Sequence, residues 1–204
     1  MPDLATLLLF AGSAATLVLI PGPNLIYIVT RSVESGRRAG LASVLGVETG
    51  TVIHVAAAAF GLSALLASSA VAFEIVKYAG VAYLVYLGVR ALRSGKAPET
   101  QVAPAGMRRT VAEGVLVNVL NPKVSLFFLA FLPQFVDPEK GSAVTQILIL
   151  GLVFMAIAAT LDLIFVLAAR LVGERLGGEG SRRFAGGVYL ALAALAAATG
   201  GRRS

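Results

Sequence analysis

The chain has 204 residues, of which 57% are hydrophobic and only 14% charged, and its mean hydropathy is +0.85. That balance excludes an ordinary soluble domain and implies an integral membrane protein. The net charge of +6 does not point to nucleic acid, because the basic residues lie in short clusters between apolar runs; the absence of cysteine excludes disulfides, thiol relays and cysteine metal sites.

The chain opens on Met1-Pro2-Asp3 with no basic stretch before the first apolar run, so that run is expected to remain in the protein rather than be cleaved as a signal peptide. Six apolar runs, near 4–30, 40–66, 70–92, 112–135, 143–170 and 183–200, are each long enough to span a membrane. The requirement is a hydrocarbon core of ~30 Å at ~1.5 Å per helical residue. A polar stretch at 93–111, rich in Pro, Gly and Arg, serves as a cytoplasmic linker between a three-span unit at 1–92 and another at 112–204. The loops after spans 1, 3 and 5 carry Arg31, Arg37 and Arg38, then Arg90, Arg93, Lys96, Arg108 and Arg109, then Arg170, Arg175, Arg182 and Arg183. Lys77, Lys140, Arg202 and Arg203 lie on the opposite side. The excess places the first set in the cytoplasm and both termini outside.

The two halves resemble each other. Lys77-Tyr78-Ala79-Gly80 with Tyr83-Leu84 recurs as Arg183-Phe184-Ala185-Gly186 with Tyr189-Leu190, and Gly22-Pro23 in span 1 recurs as Asn121-Pro122 in span 4. A duplicated unit with an odd number of spans enters the membrane the other way up, so the expected fold is an all-α membrane protein of six transmembrane helices in a 3+3 inverted repeat, with helices 1 and 4 broken.

The breaks are the centre of the functional reading. Proline inside a helix removes a hydrogen bond, and in lipid the freed carbonyl finds no water. Proline is well suited to the first position of a new helix, so Gly22 and Asn121 are expected as N-caps, with Pro23 and Pro122 following them. Two half-helix starts would aim N–H groups into the membrane and form an anion site with Asn24; a packing kink is the alternative. Glu48 in span 2, Lys123 in span 4 and Asp162 in span 5 are ionisable residues inside apolar runs, and such residues need a partner or a task. Glu48, Asp162 and the breaks fall at one depth, roughly 9–13 Å from the cytoplasmic boundary at ~1.5 Å per residue. Lys123 either meets a substrate carboxylate or pairs with Glu48 or Asp162. The acids either receive an ammonium group, carry protons, or neutralise the lysine. His54, the one histidine, is a candidate for proton coupling or for a fixed bond between helices. Scattered acids and one histidine make no transition-metal site, and no nucleotide loop or nucleophile–base pair is present, so neither metal, cofactor nor catalytic residue is expected.

Pro21-Gly22-Pro23, the Lys77-Tyr78-Ala79-Gly80 stretch running to Gly88, and the segment from Gly114 through Asn118, Leu120-Asn121-Pro122-Lys123 and Phe127 to Phe131-Leu132-Pro133-Gln134-Phe135 resemble the LysE/RhtB family of amino-acid exporters, from about residue 4 to 200. The resemblance implies a six-helix exporter of the bacterial inner membrane driven by an ion gradient, and it raises a homodimer as one expectation. Family members often carry an acid near Glu48, more commonly Asp; the Glu here bears on substrate size. The expected function is export of a small amino acid or related zwitterion, coupled to protons. Gly22, Pro23, Asn24, Asn121, Pro122 and Lys123 would form the carboxylate side, with Glu48, Asp162 and His54 on the ammonium or proton side. The alternatives are export of a lactone, nucleoside or cation, or a role as a membrane assembly subunit.

Overall fold

Asp3 starts the first helix: its side chain accepts a hydrogen bond from the Thr6 amide at 2.8 Å and α1 runs Leu4–Leu19. The helix stops because Pro21 and Pro23 have no N–H to continue it, and Ile20 turns extended. Gly22 caps a new helix with Pro23 at its first position, and α2 runs Pro23–Ser35, bent 55° from α1. Gly36, at φ 81° and ψ 175°, makes a turn open only to glycine, and α3 follows at Arg37–Ala57, ending in a π-helical turn at Ala58–Leu62. Further on, α4 runs Met107–Val119 and is broken by Leu120 and Asn121. The chain restarts at α5, Pro122–Leu126, and tightens through Phe127–Phe131 and Leu132–Phe135, with a bend of 47° between the two parts. The last described helix, α6, is Ala143–Leu167.

The computed structural model describes residues 1–62 and 106–169, with isolated positions between 75 and 93. Within these there is no strand; Arg37–Gly61 and Ala143–Leu167 are long and apolar enough to cross a membrane, and each bent pair makes one further candidate span. The expected spans 3 and 6, the repeated Lys77 and Arg183 motifs and most of the linker fall outside the described residues. Two boundaries differ from the sequence reading. The fourth span begins at Met107, inside the expected linker, so Arg108 and Arg109 belong to its first turn. Arg31 is not a loop residue: α2 continues to Ser35, and Arg31 is 1% exposed. Its burial follows from an ion pair with Glu113 of α4, a contact between distant parts of the chain that local composition does not reveal.

Two kinds of packing hold these helices. Phe10 of α1, Phe127 and Phe128 of the fourth span and Phe154 of α6 stack into one cluster, with ring centres 5.6 Å apart for Phe10–Phe127, 5.1 Å for Phe127–Phe154 and 5.0 Å for Phe128–Phe154. Leu8, Leu9, Leu152 and Leu163 are exposed and suit a lipid surface. Where lipid offers no hydrophobic gain, helices join through small residues and close backbones. Gly46 and Gly50 of α3 do this against α4: a β-carbon on Gly46 would lie 2.2 Å from the Val111 carbonyl oxygen, and one on Gly50 would lie 2.7 Å from Asn118 Cβ. This seam joins residues on either side of the linker.

Candidate functional site

The two breaks meet. Asn121 Nδ2 donates to Asn24 Oδ1 at 2.8 Å, and Asn121 Oδ1 accepts from the Lys123 amide at 3.0 Å, which caps the start of α5. The N-cap positions of Gly22 and Asn121 and the first-turn positions of Pro23 and Pro122 are those expected from proline chemistry. Beside this junction is a cavity of about 20 Å³, bounded by Asn24, Glu48, Thr51, Lys123 and Asp162 together with Leu17, Val18, Leu25, Val47, Val124, Phe154 and Ala158. A volume of that order holds about one water molecule. A solute of amino-acid size needs more room than this.

Of the residues singled out from sequence, Asn24, Glu48, Lys123 and Asp162 line the cavity. Gly22 lies behind it, where a β-carbon would stand 3.4 Å from Lys123 Nζ. Pro23, Asn121 and Pro122 frame the junction without lining the cavity, and His54 lies outside it. Both carboxylate oxygens of Glu48 are buried without a hydrogen-bond partner. Asp162 and Lys123 are 4% and 5% exposed. No ion pair joins Lys123 to either acid among the described residues. Instead, its ammonium group donates to the Leu17 and Ile20 carbonyls at 3.0 Å each. His54 Nε2 donates to the Asn118 carbonyl at 3.1 Å, and the ring stacks on Phe128 at 5.9 Å.

Chemically, the cavity offers two buried acids and one cation already bonded to backbone. A bare buried carboxylate is costly, so Glu48 calls for a proton or a cationic group beside it. His, Asp and Glu residues form no cluster suited to a metal among the described residues.

Three features escaped the sequence reading. Asn118 is fully buried and donates to Val47 O at 2.6 Å and to Thr51 Oγ1 at 2.9 Å, fastening α3 to the end of α4. The signal was an amide inside an apolar run, one turn before Asn121. Thr51 joins the lining one turn after Glu48. The third is a network beyond the junction, where Arg31 pairs with Glu113, Tyr27 Oη donates to Thr110 O at 2.7 Å, and Arg109 Nε donates to Glu113 Oε1 at 2.8 Å. It ties α2 to α4 on the side of the Gly36 turn. Tyr27 and Arg31 lie one turn apart on α2, a spacing that could have marked a polar face.

The profile of the LysE type translocator family matches residues 15–199. A homoserine/homoserine lactone efflux protein of Salmonella typhi is 33% identical over 80% of this chain and 78% of its own. A protein of the same name from Salmonella typhimurium is 37% identical over 68% of each chain. An uncharacterized membrane protein of Vibrio cholerae is 30% identical over 86% of this chain and 84% of its own. No solved structure matches the chain. With broken apolar helices enclosing a charged cavity and a family match over nearly all its length, the chain belongs to the LysE type translocators and is a multi-pass membrane transporter, not an enzyme.

Proposed function

We propose that the protein exports a small solute bearing a primary ammonium group, an amino acid or its lactone, across the bacterial inner membrane in exchange for protons, with the N-terminus outside. The observation that carries this reading is the Glu48 carboxylate, buried without a partner and sharing its cavity with Asp162. An ammonium group satisfies such a pair, and protons satisfy it in the ammonium's absence. Alternate occupancy by the two is the elementary requirement for exchange. Asn24 on one break and Lys123 on the other line the cavity where the remainder of the solute would rest, and Gly22, Pro23, Asn121 and Pro122 frame the junction behind them. Two relatives are named for efflux of both homoserine and homoserine lactone. These compounds share an ammonium group and differ in the carboxylate, which supports the acids as the principal point of recognition.

Transport needs a path from the cavity to either side. The Tyr27–Arg31–Glu113 network stands between the cavity and the Gly36 turn, and the phenylalanine cluster flanks the cavity through Phe154. Parting the first opens the side expected to face the cytoplasm, while the α3–α4 seam stays closed.

Purified protein in liposomes tests the proposal. Labelled homoserine should show counterflow, and an imposed pH gradient should drive it. No counterflow of any labelled amino acid or lactone would remove the reading and favour an assembly role.

A further inference from the structure

The two breaks share an arrangement that the substrate reading does not require. In an uninterrupted helix each carbonyl accepts from the amide four residues later. For Leu17 that residue is Pro21 and for Asn118 it is Pro122, and proline has no N–H. Each orphaned carbonyl receives the same two substitutes. The first is a tighter bond from three residues on, from the Ile20 amide to Leu17 O at 3.2 Å and from the Asn121 amide to Asn118 O at 2.9 Å. The second is a basic side chain from elsewhere in the fold, Lys123 Nζ on Leu17 O at 3.0 Å and His54 Nε2 on Asn118 O at 3.1 Å. Lys123 also takes the Ile20 carbonyl, so two of its three donors are committed to the end of α1. That end carries the negative pole of the helix, which favours a cation. His54 is fixed from its other side by the Phe128 ring.

We propose that Lys123 and His54 are positioning residues, each supplying the hydrogen bond that a proline removed and so holding a helix break in register with the cavity. Lys123 then acts on transport through α1 and its neighbour Gly22, not as a carboxylate ligand. His54 acts through Asn118, whose side chain bonds Val47 and Thr51 on either side of Glu48, and not as a proton carrier.

Two measurements test this. Ile20 is the one isoleucine followed by proline, so carbonyl-labelled isoleucine with nitrogen-labelled proline isolates its carbonyl in a solid-state spectrum of the protein in bilayers. That signal should couple to a labelled lysine Nζ, and Lys123→Met should abolish the coupling; no coupling in the unaltered protein overturns the Lys123 assignment. This arm needs no transport, so it stands or falls apart from the substrate reading. For His54, glutamine keeps an N–H donor but cannot titrate. His54→Gln should transport with the unaltered pH profile, while His54→Phe should lose about tenfold in maximal rate at unchanged KM, the scale of one buried hydrogen bond. A His54→Gln protein that loses its proton-linked flux would overturn the assignment in favour of proton carriage.

Discussion

Gly46→Ala tests the packing that fixes Glu48, two residues further along α3. The added β-carbon would sit 2.2 Å from the Val111 carbonyl oxygen and 2.9 Å from Gly114 Cα, both backbone atoms. Neither can rotate away, so α3 and α4 must separate by roughly 1 Å to restore ordinary contact. Overpacking of this kind costs about 1–3 kcal/mol. Separation also stretches the bonds from Asn118 to Val47 O and Thr51 Oγ1, now 2.6 and 2.9 Å. Interhelical hydrogen bonds in membranes contribute about 0.6–2 kcal/mol each. The combined loss is on the order of 2–4 kcal/mol. Gly12→Ala is the control, because nothing lies within 4 Å of its β-carbon position and alanine is the better helix former by about 1 kcal/mol. Thermal unfolding of the detergent-solubilised proteins should show a lower midpoint for Gly46→Ala and an equal or higher one for Gly12→Ala. Equal midpoints for both, with transport retained, would refute the close seam and the fixed position of Glu48 that depends on it.

Three further outcomes are expected. Gly36→Ala forces a side chain into φ 81°, ψ 175°, and should destabilise by about 1–3 kcal/mol in the same unfolding assay, although nothing lies within 4 Å of the added β-carbon. Arg31→Met and Glu113→Gln each remove the ion pair between these two residues; each should lower the midpoint, and the double variant should lose less than the sum, with a coupling of about 0.5–3 kcal/mol. At the other end of the chain, hydrogen bonds from Lys140 and then Thr6 hold the exposed Asp3 carboxyl well below the usual carboxylate range. A depressed folded value means the contact favours the folded protein above the ordinary aspartate range and that this is lost as pH falls through the folded value. Nuclear magnetic resonance of labelled aspartate should show one exposed carboxyl still ionised at acid pH, and Lys140→Ala should return it toward the usual range.

The breaks were legible because proline acts locally. Missing N–H groups at Pro21, Pro23 and Pro122 fix where helices stop, and Gly22 and Asn121 are the caps that such restarts favour. Counting residues along apolar runs put Glu48, Asp162 and the two breaks at one depth; in the structure Asn24, Glu48, Lys123 and Asp162 line one cavity, while Pro23 and Asn121 do not. The direction of a long side chain was not legible. Lys123 could reach an acid, a substrate or a carbonyl, and only the 55° bend of span 1 shows that the Leu17 and Ile20 carbonyls come within its reach. Arg31 was misplaced for a related reason: a charge near the end of an apolar run reads as a loop residue unless its partner, here Glu113 far along the sequence, is known. The part Asn118 plays was not legible, because its bonds reach across to α3.

The central claim is that Glu48 and Asp162 recognise an ammonium group and that a carboxylate is dispensable. Ligand-induced thermal stabilisation tests it directly, since a bound solute raises the unfolding midpoint by mass action. Homoserine and homoserine lactone should both stabilise the solubilised protein, 4-hydroxybutyrate, which lacks only the amine of homoserine, should not, and Glu48→Gln and Asp162→Asn should lose the effect. Stabilisation by 4-hydroxybutyrate equal to that by homoserine, or full retention in both variants, would contradict the account.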